Sequence, residues 1–477
     1  MENDEQRRVR SPVRVRVDGR VFTAQPHERL DAFLLRHGFA VSRPCGGMGT
    51  CGKCRVRVDG AETLACRFRL ERDCRVELPA ADPIEAEAVT ARADAHSGDA
   101  FLALDLGTTT LAMARVSAAT GEAVETTTAV NPQRAYGADV MSRIAAIRET
   151  GVAPLQRAAA DAINRMTARL GPARTLFVSG NTTMLHILFG VDPSGMGAAP
   201  YTPVFLDARE ADARTLGLTG VQTVRSLPGI AAFVGADLTA GLLAVQAPAP
   251  GRHSLLIDLG TNAEIVLFSA SDALCTAAAA GPCFEGANIS CGMSAVPGAV
   301  FAYRGGEPRV IGGGAAKGLC GSGLVDLAAH LLRTGAADET GYMPNGGFPF
   351  APGLVFTQAD LRQYQLAKAA VCAAIETLLA EKRVRPENVD TVWLSGGFSS
   401  HIDVDSAVAT GLIPASLREK CVPAGNTSLA GTIRYGCGAP LPACAGSAMY
   451  RDLTASAAFS ELFIERMSFC AADYAVR

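Results

Sequence analysis

Cys45, Cys51 and Cys54 lie within ten residues in PCGGMGTCGKC, and with Cys66 they make a C-x5-C-x2-C-x11-C spacing. Thiolates this close, interleaved with Gly46, Gly47, Gly49 and Gly52, describe a loop able to wrap a metal cluster. Glycine permits positive φ there and lets backbone N–H groups approach the sulfurs. A zinc site made by the same four thiols is the alternative, although zinc ribbons favour two C-x2-C pairs. Cys74 falls on an expected strand and reads as a core thiol, as do the nine cysteines from Cys275 to Cys470, which lack metal spacing.

Phosphate binding is the second chemistry. DLGTTT at Asp105–Thr110 and DLGTNAE at Asp258–Glu264 each put a carboxylate at a strand end, then a glycine turn at Gly107 or Gly260, then polar side chains. Such a turn offers backbone N–H and hydroxyl donors to phosphate oxygens, while the aspartate can hold Mg²⁺ through water. In LSGGF, the pair Gly396-Gly397 gives a surface free of side chains on which a nucleotide can lie. A further glycine-rich piece, Gly321-Ser322-Gly323, precedes the apolar run LVDLAAHLL. No G-x-x-x-x-G-K-[ST] is present, and the glycines of IGGGAAKG lack dinucleotide spacing, so P-loop and Rossmann sites are unsupported.

Asp237 is the only charged residue between Arg225 and Arg252. It reads either as a charge at the start of the helix LTAGLLAV or as a desolvated acid that orients or deprotonates a water. Asp139 repeats the Gly-Ala-Asp word among more charges and ranks lower. His186 and His401 have no second ligand beside them in the sequence and are expected in core or surface roles.

These groups need elements to position them. The chain has 477 residues, 44 Lys+Arg against 47 Asp+Glu, for a net charge of -3. That balance gives no global field to hold nucleic acid or an anionic membrane. With 48% hydrophobic and 19% charged residues the composition is that of a packed protein. No apolar run has the length of a membrane span, and MENDEQRRVR lacks a signal-peptide core, so a soluble cytoplasmic protein is expected.

Charge divides the chain. Residues 1–75 carry 16 Lys+Arg and 10 Asp+Glu, and residues 76–99 carry one Arg and six acids. The expected divisions are a module at 1–79, a solvated linker at 80–99, and lobes at 100–245 and 246–477, the last with C-terminal helices. In the module, alternating VRVRVDGRVFTA, a helical RLDAFLLRHG and alternating CRVRVDG and CRVELPA predict a β-grasp-like fold. Beyond it, FLALDLGTTTLAMARV matches SLLIDLGTNAEIVLF, and TLFVSGNTTMLHILFG matches TVWLSGGFSSHI. Two elements repeated in one order predict two related α/β lobes.

The cysteine spacing resembles that of plant-type [2Fe–2S] ferredoxins, with one extra residue in the first gap. The paired DLGT turns, Gly321-Ser322-Gly323 and the SGG turn resemble the phosphate, connecting and adenosine motifs of the acetate/sugar kinase, heat-shock chaperone and actin superfamily. Asp237 sits where sugar kinases of that superfamily carry a catalytic acid. The combination, with phrases such as VSGNTTMLHIL, GPCFEGANISCGM, GLCGSGLVDL and VPAGNTSLAG, is similar to the reductive activators of corrinoid proteins over nearly the whole chain. Larger members of that group carry a further domain where this chain has its acidic stretch.

The resemblance implies a β-grasp ferredoxin-like domain joined to a two-lobed actin-like ATPase with a ribonuclease H-like repeat. It implies ATP-dependent transfer of one electron from a [2Fe–2S] cluster on Cys45, Cys51, Cys54 and Cys66 to a Co(II) corrinoid on a methyltransferase-system protein, restoring Co(I). Asp105 and Asp258 would flank Mg²⁺-ATP, Thr108, Thr109, Thr261 and Asn262 would contact phosphates, and Asp237 would orient the water. An upstream electron donor and a possible homodimer complete the expected partners. The rival readings are a small-molecule kinase with a fused redox regulator, a redox sensor that binds nucleotide without hydrolysis, and an activator of a radical dehydratase.

Overall fold

The computed structural model describes residues 12–37, 39, 41, 49, 54–78, 99–260, 262–397 and 401–469. Cys45, Cys51, Thr261 and the expected linker, Asp99 excepted, lie outside the described residues. Among those described, no helix is long and apolar enough to cross a membrane.

The first module forms from the alternation visible in its sequence. Strand β1 (Val13–Val17) buries its valines and exposes its arginines. It turns back into β2 (Arg20–Ala24) through Asp18-Gly19, both at positive φ, as a two-residue type I′ hairpin needs. Helix α1 spans Leu30–Arg36, and the same Asp-Gly device at Asp59-Gly60 joins β3 (Arg55–Val58) to β4 (Ala61–Leu64). With β5 (Cys74–Glu77) the sheet order is β2-β1-β5-β3-β4, with β1 and β5 parallel. Leu30, Phe33 and Leu34 of α1 close a core that also contains Cys54, Cys66 and Cys74. This is the β-grasp arrangement expected.

The repeat becomes two sheets of one topology. In lobe 1, β6 (Ala100–Leu106), β7 (Thr110–Ser117) and β8 (Ala123–Val130) form an antiparallel meander. After α2 (Val140–Thr150) and α3 (Ala153–Leu170), β9 (Thr175–Gly180) returns parallel to β6. Helix α4 (Thr182–Leu188) follows, and later α5 (Ala236–Ala244). Lobe 2 repeats the meander with β10 (His253–Leu259), β11 (Ala263–Phe268) and β12 (Ala273–Ala278). After α6 (Gly321–Thr334) and α7 (Gln358–Glu381), β13 (Val389–Ser395) returns parallel to β10. The shared strand order, β8-β7-β6-β9 and β12-β11-β10-β13, is the duplicated, actin-like architecture.

The lobes exchange helices. Helix α5 follows lobe 1 in sequence, yet Leu238 and Leu242 pack with Leu256, Val266 and Trp393 of lobe 2. Helix α8 (Thr427–Gly436) follows lobe 2, yet Leu429 and Ile433 pack on Phe101, Ala103 and Phe177 of lobe 1. The two helices meet so closely that a Cβ on Gly431 would lie 1.8 Å from the Ala240 carbonyl oxygen. Gly431→Ala should therefore destabilise by about 1–3 kcal/mol through overpacking, despite the gain in helix propensity. Gly446→Ala, whose Cβ meets nothing within 4 Å, is the neutral comparison. Thermal unfolding of both variants checks this; a Gly431→Ala midpoint equal to that of Gly446→Ala would contradict it.

Candidate functional site

The parallel strand pairs bring the repeated words into register. Asp105 lies opposite Ser179 in lobe 1, and Asp258 opposite Ser395 in lobe 2. Behind each aspartate the chains nearly touch. A Cβ on Gly180 would lie 2.7 Å from the Leu106 carbonyl oxygen, and one on Gly396 would lie 2.4 Å from that of Leu259 and 2.9 Å from Asp258 Oδ1. Gly396, at φ +107°, is thus required by both conformation and space. Gly397 has nothing within 4 Å of an added Cβ and leaves open surface.

The cleft between the hairpins gathers acids. Asp105, Asp237, Asp258 and Glu264 are each half-buried. Asp258 and Glu264 are cross-strand partners on one face of lobe 2, an arrangement that like charges disfavour. Burial, then Asp258 and Asp105, push Asp237 up to about 7. Burial and Asp105 push Asp258 up to about 6, against one favourable hydrogen bond from Ser395 Oγ at 3.1 Å. Asp105 is raised by burial and Glu264 strongly so, with Asp237 and Asp258 adding to the latter. Asp237 lies in the first turn of α5, where its Oδ1 accepts from the Leu238 N–H at 2.9 Å.

A third repeated word completes the cleft. Gly180-Asn181-Thr182 and Gly425-Asn426-Thr427 each carry an asparagine that caps a helix. Asn181 Oδ1 accepts from Met184 N at 2.9 Å and Asn426 Oδ1 from Leu429 N at 2.8 Å. The other end of each amide holds the first hairpin: Asn181 Nδ2 donates to Thr108 Oγ1 at 2.7 Å and Asn426 Nδ2 to Asp105 Oδ2 at 2.8 Å. Ser428 Oγ donates to Asp105 Oδ1 at 2.8 Å. Across the rim, Thr109 Oγ1 donates to Glu285 Oε2 at 2.6 Å.

The structure brings together Asp105, Gly107, Thr108, Thr109, Asp237, Asp258, Gly260, Asn262, Gly396 and Gly397 at these turns. Gly321, Ser322 and Gly323 instead open α6 in buried contacts within lobe 2. Ser322 Oγ donates to the Phe301 carbonyl at 2.7 Å, and a Cβ on Gly323 would strike that of Val300 at 2.2 Å. Packing alone is a sufficient reason for Gly323. Asp139 caps α2 in a capping box with Ser142. His186 is a core histidine stacked on Phe205, its Nδ1 2.7 Å from the Thr182 carbonyl oxygen and its Nε2 accepting from Val204 N at 3.0 Å. Glu264, Glu285, Asn181, Asn426 and Ser428 were not singled out by the sequence reading. The signal for two of them was present: Glu264 is the only charge between Asp258 and Asp272, and Glu285 the only one between Asp272 and Arg304.

In the β-grasp module, Cys54 and Cys66 are buried with their sulfurs 3.3 Å apart and unbridged. Two thiolates on one tetrahedral metal with bonds near 2.3 Å stand about 3.8 Å apart, so the pair suits a shared metal. Arg67 Nη2 donates to the Gly49 carbonyl at 2.7 Å, fixing a point of the loop between Cys45 and Cys51. Cys74 is buried, and burial pushes its thiol up to about 11, as a core residue requires.

Comparison with known proteins agrees with this architecture. A family model described as the RACo middle region matches residues 101–248. Another, described as the C-terminal domain of RACo, the ASKHA domain, matches 252–347 and 350–476. A corrinoid activation enzyme, RamQ, of Eubacterium limosum is 28% identical over 357 residues, 66% of this chain and 60% of that protein. A [Co(II) methylated amine-specific corrinoid protein] reductase of Methanosarcina barkeri is 31% identical over 229 residues, 43% of this chain and 42% of that protein. The chain thus spans 60% or less of the length of these curated relatives. A solved reductive activator for corrinoid, iron-sulfur protein shares the fold with a TM-score of 0.70 at 24% identity, covering 96% of this chain and 98% of that one.

The raised carboxylates have a consequence for stability. A folded-state pKa above the ordinary carboxylate value of about 3.9 means that the folded protein binds protons more tightly than the unfolded chain. For Asp237 and Asp258 the penalty on folding is present above the raised values and fades as pH falls through 7 and 6. In EDTA without nucleotide, Asp258→Asn should raise the stability, and by about 1 kcal/mol more at pH 8 than at pH 5. Denaturant unfolding at the two pH values measures the difference; a gain independent of pH would show that Asp258 is not held protonated.

Proposed function

The chain belongs to the RACo family, and from that premise we propose that it is an ATP-dependent reductive activator. It returns one electron to a partner protein's Co(II) corrinoid and restores Co(I), in the cytoplasm. The observation that carries this reading is the joining, on one chain, of a paired-thiol β-grasp module to a two-hairpin cleft lined by carboxylates. Cys54 and Cys66 suit a shared metal, and with Cys45 and Cys51 they make the ligand set of a [2Fe–2S] cluster. When bound, such a cluster supplies single electrons, which an upstream donor replaces.

The chain's own residues do the rest. The two hairpins offer N–H and hydroxyl donors, from Thr108 and Thr109 on one side and Thr261 and Asn262 on the other, to the phosphates of ATP. Among the described residues no three carboxylate, thiol or imidazole side chains converge to hold a bare ion. Asp105 and Asp258 would hold Mg²⁺ through its waters, as this strongly hydrated ion favours. Gly396 and Gly397 take the adenosine. Asp237, pushed up to about 7 by burial and its acidic neighbours, has the affinity for a proton that a general base for the attacking water needs at neutral pH. One-electron reduction across a gap of about 200 mV costs roughly 5 kcal/mol, the step that nucleotide hydrolysis offsets.

The deciding experiment is anaerobic. Reduced protein, Mg-ATP and a Co(II) corrinoid methyl carrier are mixed, and the Co(I) spectrum is followed. Co(I) should form with ATP and fail with Cys54→Ala, which should also lose visible absorption of the reconstituted protein. Phosphate release stimulated by a sugar or carboxylate, with no Co(I), would favour the kinase reading. Independently, Asp237→Asn should slow phosphate release by about 10²-fold or more while nucleotide affinity changes little. Turnover at the parent rate would make the acid structural.

A further inference from the structure

Arg143, on α2, heads the large side chains that the protein buries completely. None of its hydrogen bonds goes to a carboxylate. Nε donates to the Gly137 carbonyl at 3.0 Å, Nη1 reaches Gln133 Oε1 at 3.2 Å and Met184 Sδ at 2.9 Å, and Nη2 donates to the Thr108 carbonyl at 2.5 Å. Burial pushes the guanidinium down to about 9, with Glu285 of lobe 2 the first of the groups that oppose the shift. The side chain is therefore cationic at neutral pH. A buried cation without a bonded anion is expensive, and an apolar side chain would fill the same space at less cost.

What the charge faces is the first phosphate hairpin. Three consecutive carbonyls of that turn point into lobe 1. Gly107 O accepts from Asn131 Nδ2 at 2.8 Å, Thr108 O from Arg143, and Thr109 O from Asn131 N at 2.8 Å. In a trans peptide the C=O and the following N–H point in opposite directions. The N–H groups of Thr108, Thr109 and Thr110 consequently face away from the lobe interior, as three adjacent donors for an anion. The peptide between Thr108 and Thr109 is the one whose carbonyl is bound by a full positive charge, and such polarisation strengthens its N–H as a donor.

We propose that Arg143 is a positioning residue for the nucleotide's phosphates, fixing and polarising the hairpin through the Thr108 carbonyl. It also sets a positive charge behind the first hairpin. This rests on the nucleotide reading above and adds to it a group that touches no ligand. Its effect grows with the charge of the ligand, which a merely structural arginine would not produce.

The test is equilibrium binding of ATP, ADP, AMP and adenosine, with Mg²⁺, to the parent and to Arg143→Met, Arg143→Lys and Gln133→Glu. Arg143→Met should weaken ATP at least tenfold and ADP by less, with adenosine within twofold of the parent. Arg143→Lys, which keeps the charge, should recover part of the ATP affinity. Gln133→Glu leaves Arg143 in place but sets an anion against it, and should reproduce the graded loss even if Arg143→Met folds poorly. Equal losses for all four ligands, or parent-like ATP binding in Gln133→Glu, would overturn the proposal. A parent that binds none of the four would remove the nucleotide reading itself, and this inference with it.

Discussion

Asp105 stands on lobe 1, yet both of its side-chain hydrogen bonds come from Asn426 and Ser428 of lobe 2. Ser179, beside it in register, is bound in turn by Ser428 and Thr432 of the same helix. The lobes are thus joined at the floor of the cleft by polar bonds, by helices α5 and α8 passing into each other's cores, and by backbone contact at Gly431. At the rim, Thr109 Oγ1 of lobe 1 donates to Glu285 Oε2 of lobe 2. One such bond is worth about 0.5–1.5 kcal/mol. That bond is one bridge at the rim, whereas the floor combines polar bonds, exchanged helices and backbone contact.

That floor also explains why acids can be held together. Asp105, Asp237 and Asp258 lie on separate elements, each fixed by its own hydrogen bonds, so repulsion cannot be relieved by swinging one side chain aside. Relief must come from a proton or from a bound cation, and each is a ligand that the folded form takes up better than the unfolded chain. The first hairpin gives the opposite bias a few residues away, with N–H groups outward and a buried guanidinium behind. On the proposed reading, a metal–phosphate pair would meet both halves, the cation toward the carboxylates and the phosphates toward the hairpin.

Much of this was legible in the sequence where the signal is local. Valine alternation and two Asp-Gly turns give the β-grasp sheet, and the repeated DLGT and Ser-Gly words give both lobes, whereas the register of Asp105 with Ser179 and of Asp258 with Ser395 comes from parallel pairing of strands distant in sequence. Isolation within an uncharged stretch marked Asp237, and the same test would have marked Glu264 and Glu285. Asn426 was not legible, because its partner Asp105 is 321 positions away and asparagine at a helix start already has a sufficient local reason. Arg143 escaped for a related reason: among neighbouring charges in NPQRAYGADVMSR it looks like a solvated helix residue, and only packing reveals that it is buried. Gly323 also has a reason of its own in close packing on Val300, which the sequence does not reveal.

The magnitudes constrain how such a cleft can drive electron transfer. A ligand shifts an equilibrium only by its difference in affinity for the two states, and an uphill step of roughly 5 kcal/mol requires a difference of nearly four powers of ten. The Thr109–Glu285 bond supplies at most a factor of about ten. The remainder has to be spread over groups that nucleotide engages on both lobes at once. On the nucleotide reading, duplication would provide this, since it sets two phosphate-binding hairpins on facing lobes. On the proposed reading, hydrolysis would loosen the rim while the exchanged helices keep the floor intact.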